Sequence, residues 1–199
     1  REVLPENKSG VLGIGVSSPG PLDPNEGVTY DPPNLPGWSG TPLRDILQDE
    51  FGMPVYLGND ANVAALAEVA LGAARGYRHA IYITVSTGIG SGVITDGRMI
   101  LGRRGFAVEA GHAVISTEKG VYSLEEMSSG TAIKRQAMER IQAGAKSAIY
   151  DMVNGDVEAI SGKIVGQAAQ EGDPLALEIV TNAGRMLGLG IVSLLHLFN

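Results

Sequence analysis

The chain has 199 residues, of which 44% are hydrophobic and 19% charged, with a formal net charge of −7 at pH 7 and no cysteine. That apolar share supports a packed core and excludes a disordered or fibrous chain, while the acidic balance disfavours nucleic acid and anionic membrane surfaces as partners. Zero cysteine excludes disulfides and thiolate metal sites, and this length allows one or two domains at roughly 150 residues each.

The chain opens Arg1-Glu2-Val3-Leu4-Pro5, with neither Met nor a basic–apolar leader. Val11-Leu12-Gly13-Ile14-Gly15-Val16 is β-branched and glycine-spaced, the pattern of a buried strand, and Ser17-Ser18-Pro19-Gly20-Pro21 breaks it. Residues 20–42 are turn-rich, and the consecutive Pro32-Pro33 forbids helix there. Pro42, at a first-turn position, opens a helix that Gly52 ends after Phe51, and Val55-Tyr56-Leu57 is the next strand. Asn59-Asp60 opens a longer helix with an apolar stripe of Val63, Leu66, Ala67, Ala70 and Leu71, closed by Gly72 to Gly76. Ala80 to Ser86 reads as a strong strand. Gly92-Val93-Ile94-Thr95 follows a tight loop, and Asp96-Gly97 predicts a type I′ turn into Arg98-Met99-Ile100.

Beyond residue 123 the pattern is helical, over 129–153, over 157–171, and from an Asp173 N-cap with Pro174 in the first helical position to Leu197. Met186 to Phe198 falls short of the ~20 apolar residues of a bilayer crossing and reads as a buried helix with His196 in the core. Natural termini are polar and loose, so an end inside this apolar pattern predicts a piece of a longer soluble protein; a cytoplasmic location is expected. Ile14–Ser18 weakly echoes Ile83–Thr87, both strand-to-polar-turn units.

Candidate chemistry starts with Gly58-Asn59-Asp60-Ala61-Asn62, which follows a strand and opens a helix. Capping needs one of these short polar side chains. A carboxylate at a strand's carboxyl end, where open α/β sheets present their ligand sites, can also accept a proton from an attacking hydroxyl. In Ser86-Thr87-Gly88-Ile89-Gly90-Ser91-Gly92, alternate glycines let backbone N–H groups approach an anion. The loop is neither a Walker A motif nor a dinucleotide fingerprint, since no Gly-Lys-Ser/Thr follows and the next element is a strand. A tight hairpin accounts for it equally well. Glu109 and His112, in a glycine-bounded segment with Glu125-Glu126 further on, suit ligand hydroxyls; an exposed Glu and a structurally bonded His explain each separately. His79, His112 and His196 are the only histidines, and without cysteine they offer no metal set. His79 reads as a turn residue.

In order and spacing, several motifs together resemble the ROK family of bacterial sugar kinases, glucokinases among them, and sugar-responsive repressors. They are Gly13-Ile14-Gly15-Val16 with Pro19-Gly20-Pro21, Pro33-Asn34-Leu35-Pro36-Gly37-Trp38, Asn59-Asp60-Ala61-Asn62, the Ser86–Gly92 loop, Glu109-Ala110-Gly111-His112 and Ser129-Gly130-Thr131-Ala132. The resemblance covers nearly the whole chain. It implies an α/β, two-lobed actin-like ATPase (ribonuclease H-like) fold, partial in this chain. Residues 1–75 would belong to the small N-terminal lobe and 76–199 to the large C-terminal lobe, with sugar and ATP in the cleft between them. The implied activity is ATP-dependent phosphorylation of a hexose with Asp60 as catalytic base. Asn59, Glu109 and His112 match ligands of sugar hydroxyls, Glu125 the carboxylate that closes the sugar site, and Gly20 a backbone contact to sugar. Thr87, Gly88 and Gly90 match the second phosphate-binding loop. ATP and Mg2+ are the implied cofactors and a homodimer the implied assembly, with no nucleic acid and no membrane as partner.

The chain also departs from the family pattern. Ala113–Ser123 stands where the family carries a Cys-x-Cys-Gly-x-x-Gly-Cys zinc motif, so no zinc is expected and something else must orient His112. Val108 replaces the glycine usual before Glu109, which predicts crowding of the sugar pocket. The family's Asp-x-Gly-Gly-Thr phosphate motif and its C-terminal glycine run belong before residue 1 and after residue 199. The alternative on the same fold is a sugar-sensing repressor or a non-catalytic sugar-binding protein. A dinucleotide enzyme needs a glycine loop that opens a helix, and the Asp96-Gly97 hairpin argues against it.

Overall fold

The computed structural model describes residues 9–32, 35–118 and 120–198. They fall into two units: one runs to Ala80 and adds Gly92–Val108, and the other takes Ile81–Ser91 and the residues from Glu109 on. Pro33 and Asn34, at the head of the Pro-Asn-Leu-Pro-Gly-Trp motif, lie outside the described residues.

In the first unit, β1 (Ile14–Ser18) is the strand expected near residue 11, displaced toward the C-terminus; Leu12 ahead of it is 92% exposed. The short strands β2 (Leu22–Asp23) and β3 (Val28–Thr29) pair antiparallel. Their turn is closed by Asp23 Oδ1, which accepts from the Asn25 and Glu26 N–H groups. The helix α1 (Leu43–Phe51) follows Pro42 and stops at Gly52, whose φ of 63° lets its N–H reach Gln48 O. β4 (Val55–Asn59) then pairs in parallel with β1, Ile14 opposite Val55 and Ser18 opposite Asn59. α2 (Asp60–Ala70) leaves directly from the end of β4.

After β5 (Ala80–Val85) comes β6 (Ile89–Thr95), of which Gly92–Thr95 belong to this unit. β6 turns through Asp96-Gly97, at φ 53° and 74°, into β7 (Arg98–Met99), the type I′ geometry expected. The unit's core is Leu22, Val55, Leu57, Val93 and Ile94, with Ala61 and Ala65 of α2. α2 does not bury the predicted stripe: its buried face is Ala61, Asn62 and Ala65, while Leu66 and Leu71 are exposed. It packs through its first turns onto Gly92, where a Cβ would run into Ala65 and Ala61, so small residues set the contact.

In the second unit β5 and the start of β6 are joined by a turn in which Ser86 N donates to Gly88 O at 2.9 Å. A single 3-10 turn, Ala110–His112, precedes the antiparallel hairpin of β8 (Val114–Thr117) and β9 (Gly120–Ser123). Five helices complete the unit: α3 (Leu124–Ser128), α4 (Gly130–Gln142), α5 (Ala148–Met152), α6 (Gly162–Gln170) and α7 (Pro174–Phe198). Ser123, Ser129, Ser147 and Ser161 cap α3 to α6, and Ile141, Ile149, Val165, Leu175 and Ile179 share one apolar core. Asp173 caps α7 as predicted: Oδ1 accepts from Ala176 N at 2.8 Å and from Ser147 Oγ at 2.9 Å, and Oδ2 accepts from Ala148 N at 2.8 Å. Burial pushes this carboxyl up, but the hydrogen bonds from Ala176, Ala148 and Ser147 outweigh it and hold the group below the usual carboxylate range.

The helix predicted over 129–153 is broken. Gly144, at φ 91°, turns the chain, and the capture of Ala148 N by Asp173 starts α5 anew. The segment 157–171 resolves into a 3-10 turn at Val157–Ala159 and then α6. α7 buries a stripe that includes Leu175, Ile179, Ala183, Met186, Gly190 and Leu194. His196 is on the exposed side, not in the core, together with Leu189, Val192, Leu195 and Leu197. The last turns are apolar all round, and a helix packed on one face buries only the residues three or four apart on that face. By length and composition α7 is long and apolar enough to cross a membrane. It carries Glu178 and Arg185 and packs against α3, α4 and α6.

Candidate functional site

In the first unit the polar groups gather where β1 and β4 end side by side. Gly20, next to a cis Gly20-Pro21 peptide, comes so close to Asn59 that a Cβ on it would lie 2.9 Å from Nδ2. Asn59 is the N-cap of α2, with Oδ1 accepting from Ala61 N at 3.0 Å and Asn62 N at 3.3 Å. Its oxygen is therefore engaged in the helix and its amide nitrogen is turned toward Gly20. Asp60 follows, exposed, with Oδ1 accepting from Ala61 N at 2.8 Å. The cap belongs to Asn59, so capping does not account for the Asp60 carboxylate. The sequence names Asn62 in the motif but gives it no role; its buried Oδ1 has no partner among the described residues. With Asn59, Leu57, Leu66, Met99 and Leu101 it lines a mostly apolar cavity of about 120 Å³. Its signal was an amide one turn beyond the cap, on the face of the helix that meets the strands.

In the second unit the glycine loop is tied down from several sides. Ser86 O accepts from Gly130 N at 2.8 Å and Thr87 O from Thr131 N at 3.3 Å. Ser129 Oγ takes Ala132 N at 3.1 Å, so the first N–H groups of α4 are used within the unit. Ile89 N donates to Glu125 Oε2 at 2.6 Å. Ser91 Oγ accepts from Ala110 N at 3.1 Å, which draws the Glu109–His112 turn against the same loop. Among the described residues the N–H groups of Thr87 and Gly88 have no acceptor. Thr87 is exposed and Gly88 half-buried, so these two donors can meet an anion. Gly90 lies half-buried within β6.

Glu109 and His112 flank the 3-10 turn, both exposed, with His112 N donating to Glu109 O at 3.0 Å. The stretch where the family motif would bind zinc is the β8–β9 hairpin, and Leu124 N closes it onto Ala113 O at 2.8 Å. That hairpin fixes the backbone at His112. Val108, ahead of Glu109, has a φ of 59°, the left-handed region in which a β-branched residue is strained. α3 starts with a capping box: Ser123 N donates to Glu126 Oε2 at 2.7 Å and Glu126 N to Ser123 Oγ at 3.2 Å. Hydrogen bonds to the carboxyl from the Ser123 backbone N–H and then from the Ser123 side chain hold Glu126 below the usual range, with Arg135 and His112 adding favourable charge. The candidate residues thus form two groups: Gly20, Asn59 and Asp60 in the first unit, and Thr87, Gly88, Gly90, Glu109, His112 and Glu125 around one loop in the second.

The family model described as the ROK family matches residues 2–199. The glucokinase of Thermotoga maritima is 35% identical over 192 residues, which cover 94% of this chain and 60% of that protein. The xylose repressor of Caldicellulosiruptor bescii is 32% identical over 201 residues, covering 98% of this chain and 50% of the repressor. A crystal structure of a ROK family glucokinase from Streptomyces griseus in complex with glucose and AMPPNP matches with a TM-score of 0.80 at 33% identity, over 96% of this chain and 64% of that one. The chain therefore spans between half and two-thirds of the length of these relatives. With a family model matched over all but its first residue and a mixed α/β architecture shared with solved members, the chain belongs to the ROK family and carries part of the actin-like ATPase fold.

Proposed function

We propose that the protein is an ATP-dependent hexose kinase of the glucokinase type in which Asp60 is the general base. The observation that carries this reading is the division of labour at the end of β4. Asn59 caps α2, and Asp60 beside it keeps an exposed carboxylate anchored at one oxygen by Ala61 N–H. The glucokinase relatives, and the glucose and AMPPNP bound by one of them, support the same class.

In this reading Asp60 accepts the proton of the sugar's primary hydroxyl. The freed oxygen attacks the γ-phosphorus while the bond to the bridging oxygen of ADP breaks, and Asp60 returns its proton to solvent. ATP supplies the phosphoryl group, with Mg2+ carried on its phosphates, an arrangement that asks few carboxylates of the protein. The free N–H groups of Thr87 and Gly88 fit phosphate oxygens, and Gly90 keeps the loop narrow behind them. Asn59, Glu109, His112 and Glu125 pair with hydroxyls, and Gly20 lets the backbone reach the sugar. A sugar lacking one hydroxyl leaves a polar group unpaired, which is the basis of strong discrimination. The reading extends to a cytoplasmic homodimer.

A coupled ADP-release assay of the protein across a hexose panel tests this. Hexose-dependent ADP is expected, and Asp60→Ala lowers kcat by roughly 10²- to 10⁴-fold, the usual contribution of general-base catalysis, without a loss of melting temperature. A variant that keeps most of its turnover removes the base assignment. The match to a xylose repressor across 98% of this chain favours a second reading, a sugar sensor on the same fold. Its signature is binding of a sugar, hexose or pentose, by calorimetry with no ADP released.

A further inference from the structure

We propose that Glu125 is a positioning residue for the glycine loop, so that one carboxylate links sugar occupancy to nucleotide affinity. This rests on the kinase reading above. Ile89 is 5% exposed, and its N–H emerges from a turn already closed between Ser86 and Gly88. A donor placed there needs a partner, and Glu125 Oε2 supplies it at 2.6 Å, short for an N–H···O bond and in the direction a charged acceptor favours. Gly88 makes the approach possible. The nearest atoms to a Cβ on Gly88 all belong to the Glu125 carboxylate, and one of them would overlap it. This glycine is explained by the carboxylate, independently of any phosphate.

Glu125 stands on a rigid base. The capping box fixes the start of α3, Leu124 is wholly buried against α7 at Gly190, and Ser129 N holds Glu125 O at 3.0 Å. Among the described residues Glu125 Oε1 has no hydrogen-bond partner, which leaves one oxygen for a ligand hydroxyl. A hydroxyl on Oε1 restrains the carboxylate, and the restrained carboxylate restrains the turn that presents the Thr87 and Gly88 N–H groups. By linkage, nucleotide on the loop then tightens sugar by the same factor.

The test compares the full chain with Glu125→Ala, Glu125→Gln and Gly88→Ala, reading amide hydrogen exchange over 86–90 and the Mg-AMPPNP dissociation constant with and without glucose. In Glu125→Ala, exchange at Ile89 accelerates and the dissociation constant without sugar rises, each by about tenfold, the equivalent of one lost hydrogen bond. The tightening by glucose also disappears. Glu125→Gln, whose amide oxygen accepts the same N–H, stays near the parent in exchange and in sugar-free nucleotide affinity. Gly88→Ala disturbs the loop in the parent and much less when combined with Glu125→Ala, a coupling read by a double-mutant cycle. Parent-like exchange in Glu125→Ala, or equal damage by Gly88→Ala in both backgrounds, overturns the proposal. So does a Glu125→Ala variant that loses hexose affinity alone. A parent chain that neither binds nucleotide nor releases ADP defeats the kinase reading, while the exchange rates still judge the tie between Glu125 and Ile89.

Discussion

Val108 holds a β-branched side chain at φ 59°, where most residues pay a steric penalty of about 1–3 kcal/mol that glycine avoids. The sequence predicts crowding of a pocket at this position, and the structure shows in addition a cost in the backbone. The ordinary preference for alanine over glycine should therefore reverse. In urea unfolding, Val108→Gly is expected to be more stable than Val108→Ala by about 1 kcal/mol; alanine proving the more stable would remove the strain argument. Asp173 is a second residue whose effect can be worked out with its sign. Asp173→Asn turns one acceptor into a donor facing a donor, and stability at neutral pH should fall by about 1–3 kcal/mol. Because its folded pKa lies below the ordinary value, the native state binds fewer protons and this contribution is complete above pH ~4. It is lost as pH falls through that value and then through the lower folded one. Unfolding curves of parent and variant should converge as the pH falls through the lowered folded value, and a constant gap would sink the assignment. The cap role of Asp173 was legible from Asp-Pro before a periodic stretch. Its second role, at α5, was not, because Ser147 and Ala148 are brought to it by packing.

α7 offers a comparison between two glycines of one helix. Around Gly188 nothing lies within 4 Å of an added Cβ, whereas at Gly190 that atom would sit 2.5 Å from the wholly buried Leu124 side chain. Gly188→Ala should stabilise by about 0.5–1 kcal/mol, the helix-interior preference. Gly190→Ala should destabilise by about 1–3 kcal/mol through overpacking at α3. Thermal unfolding separates the two, and like signs would refute this account of the α3–α7 contact. The periodicity of α7 announced a helix, and its last turns announced an apolar one, but which face is covered depends on neighbours. The same limit explains α2. Its start was readable from Asn59-Asp60, yet the buried face follows Gly92, thirty residues away in the chain, and not the larger aliphatic residues. The break between α4 and α5 was hidden for the same reason, since a carboxylate from 173 restarts the helix.

For the molecule as a whole, binding must appear as stability. If the proposed function holds, a hexose or Mg-AMPPNP at a hundred times its dissociation constant should stabilise the folded chain by about 2.7 kcal/mol, seen as a rise in melting temperature. Indifference to every hexose would count against the kinase, and indifference to pentoses as well would count against the sensor. At this scale the ordered motifs from Gly13 to Ala132 sufficed to identify the family, which the match over residues 2–199 shows. The sequence by itself determined the Asp173 cap, the start of α2 at Asn59-Asp60, the Asp96-Gly97 turn and the order of the longer strands and helices, because each depends on a few adjacent residues and their backbone preferences. Only the tertiary structure decided that Asn62 is buried, that His196 faces outward, and that Glu125 grips Ile89 from 36 residues away. Such contacts are selected by burial and by the need of stranded N–H groups for an acceptor, and no local spacing encodes them.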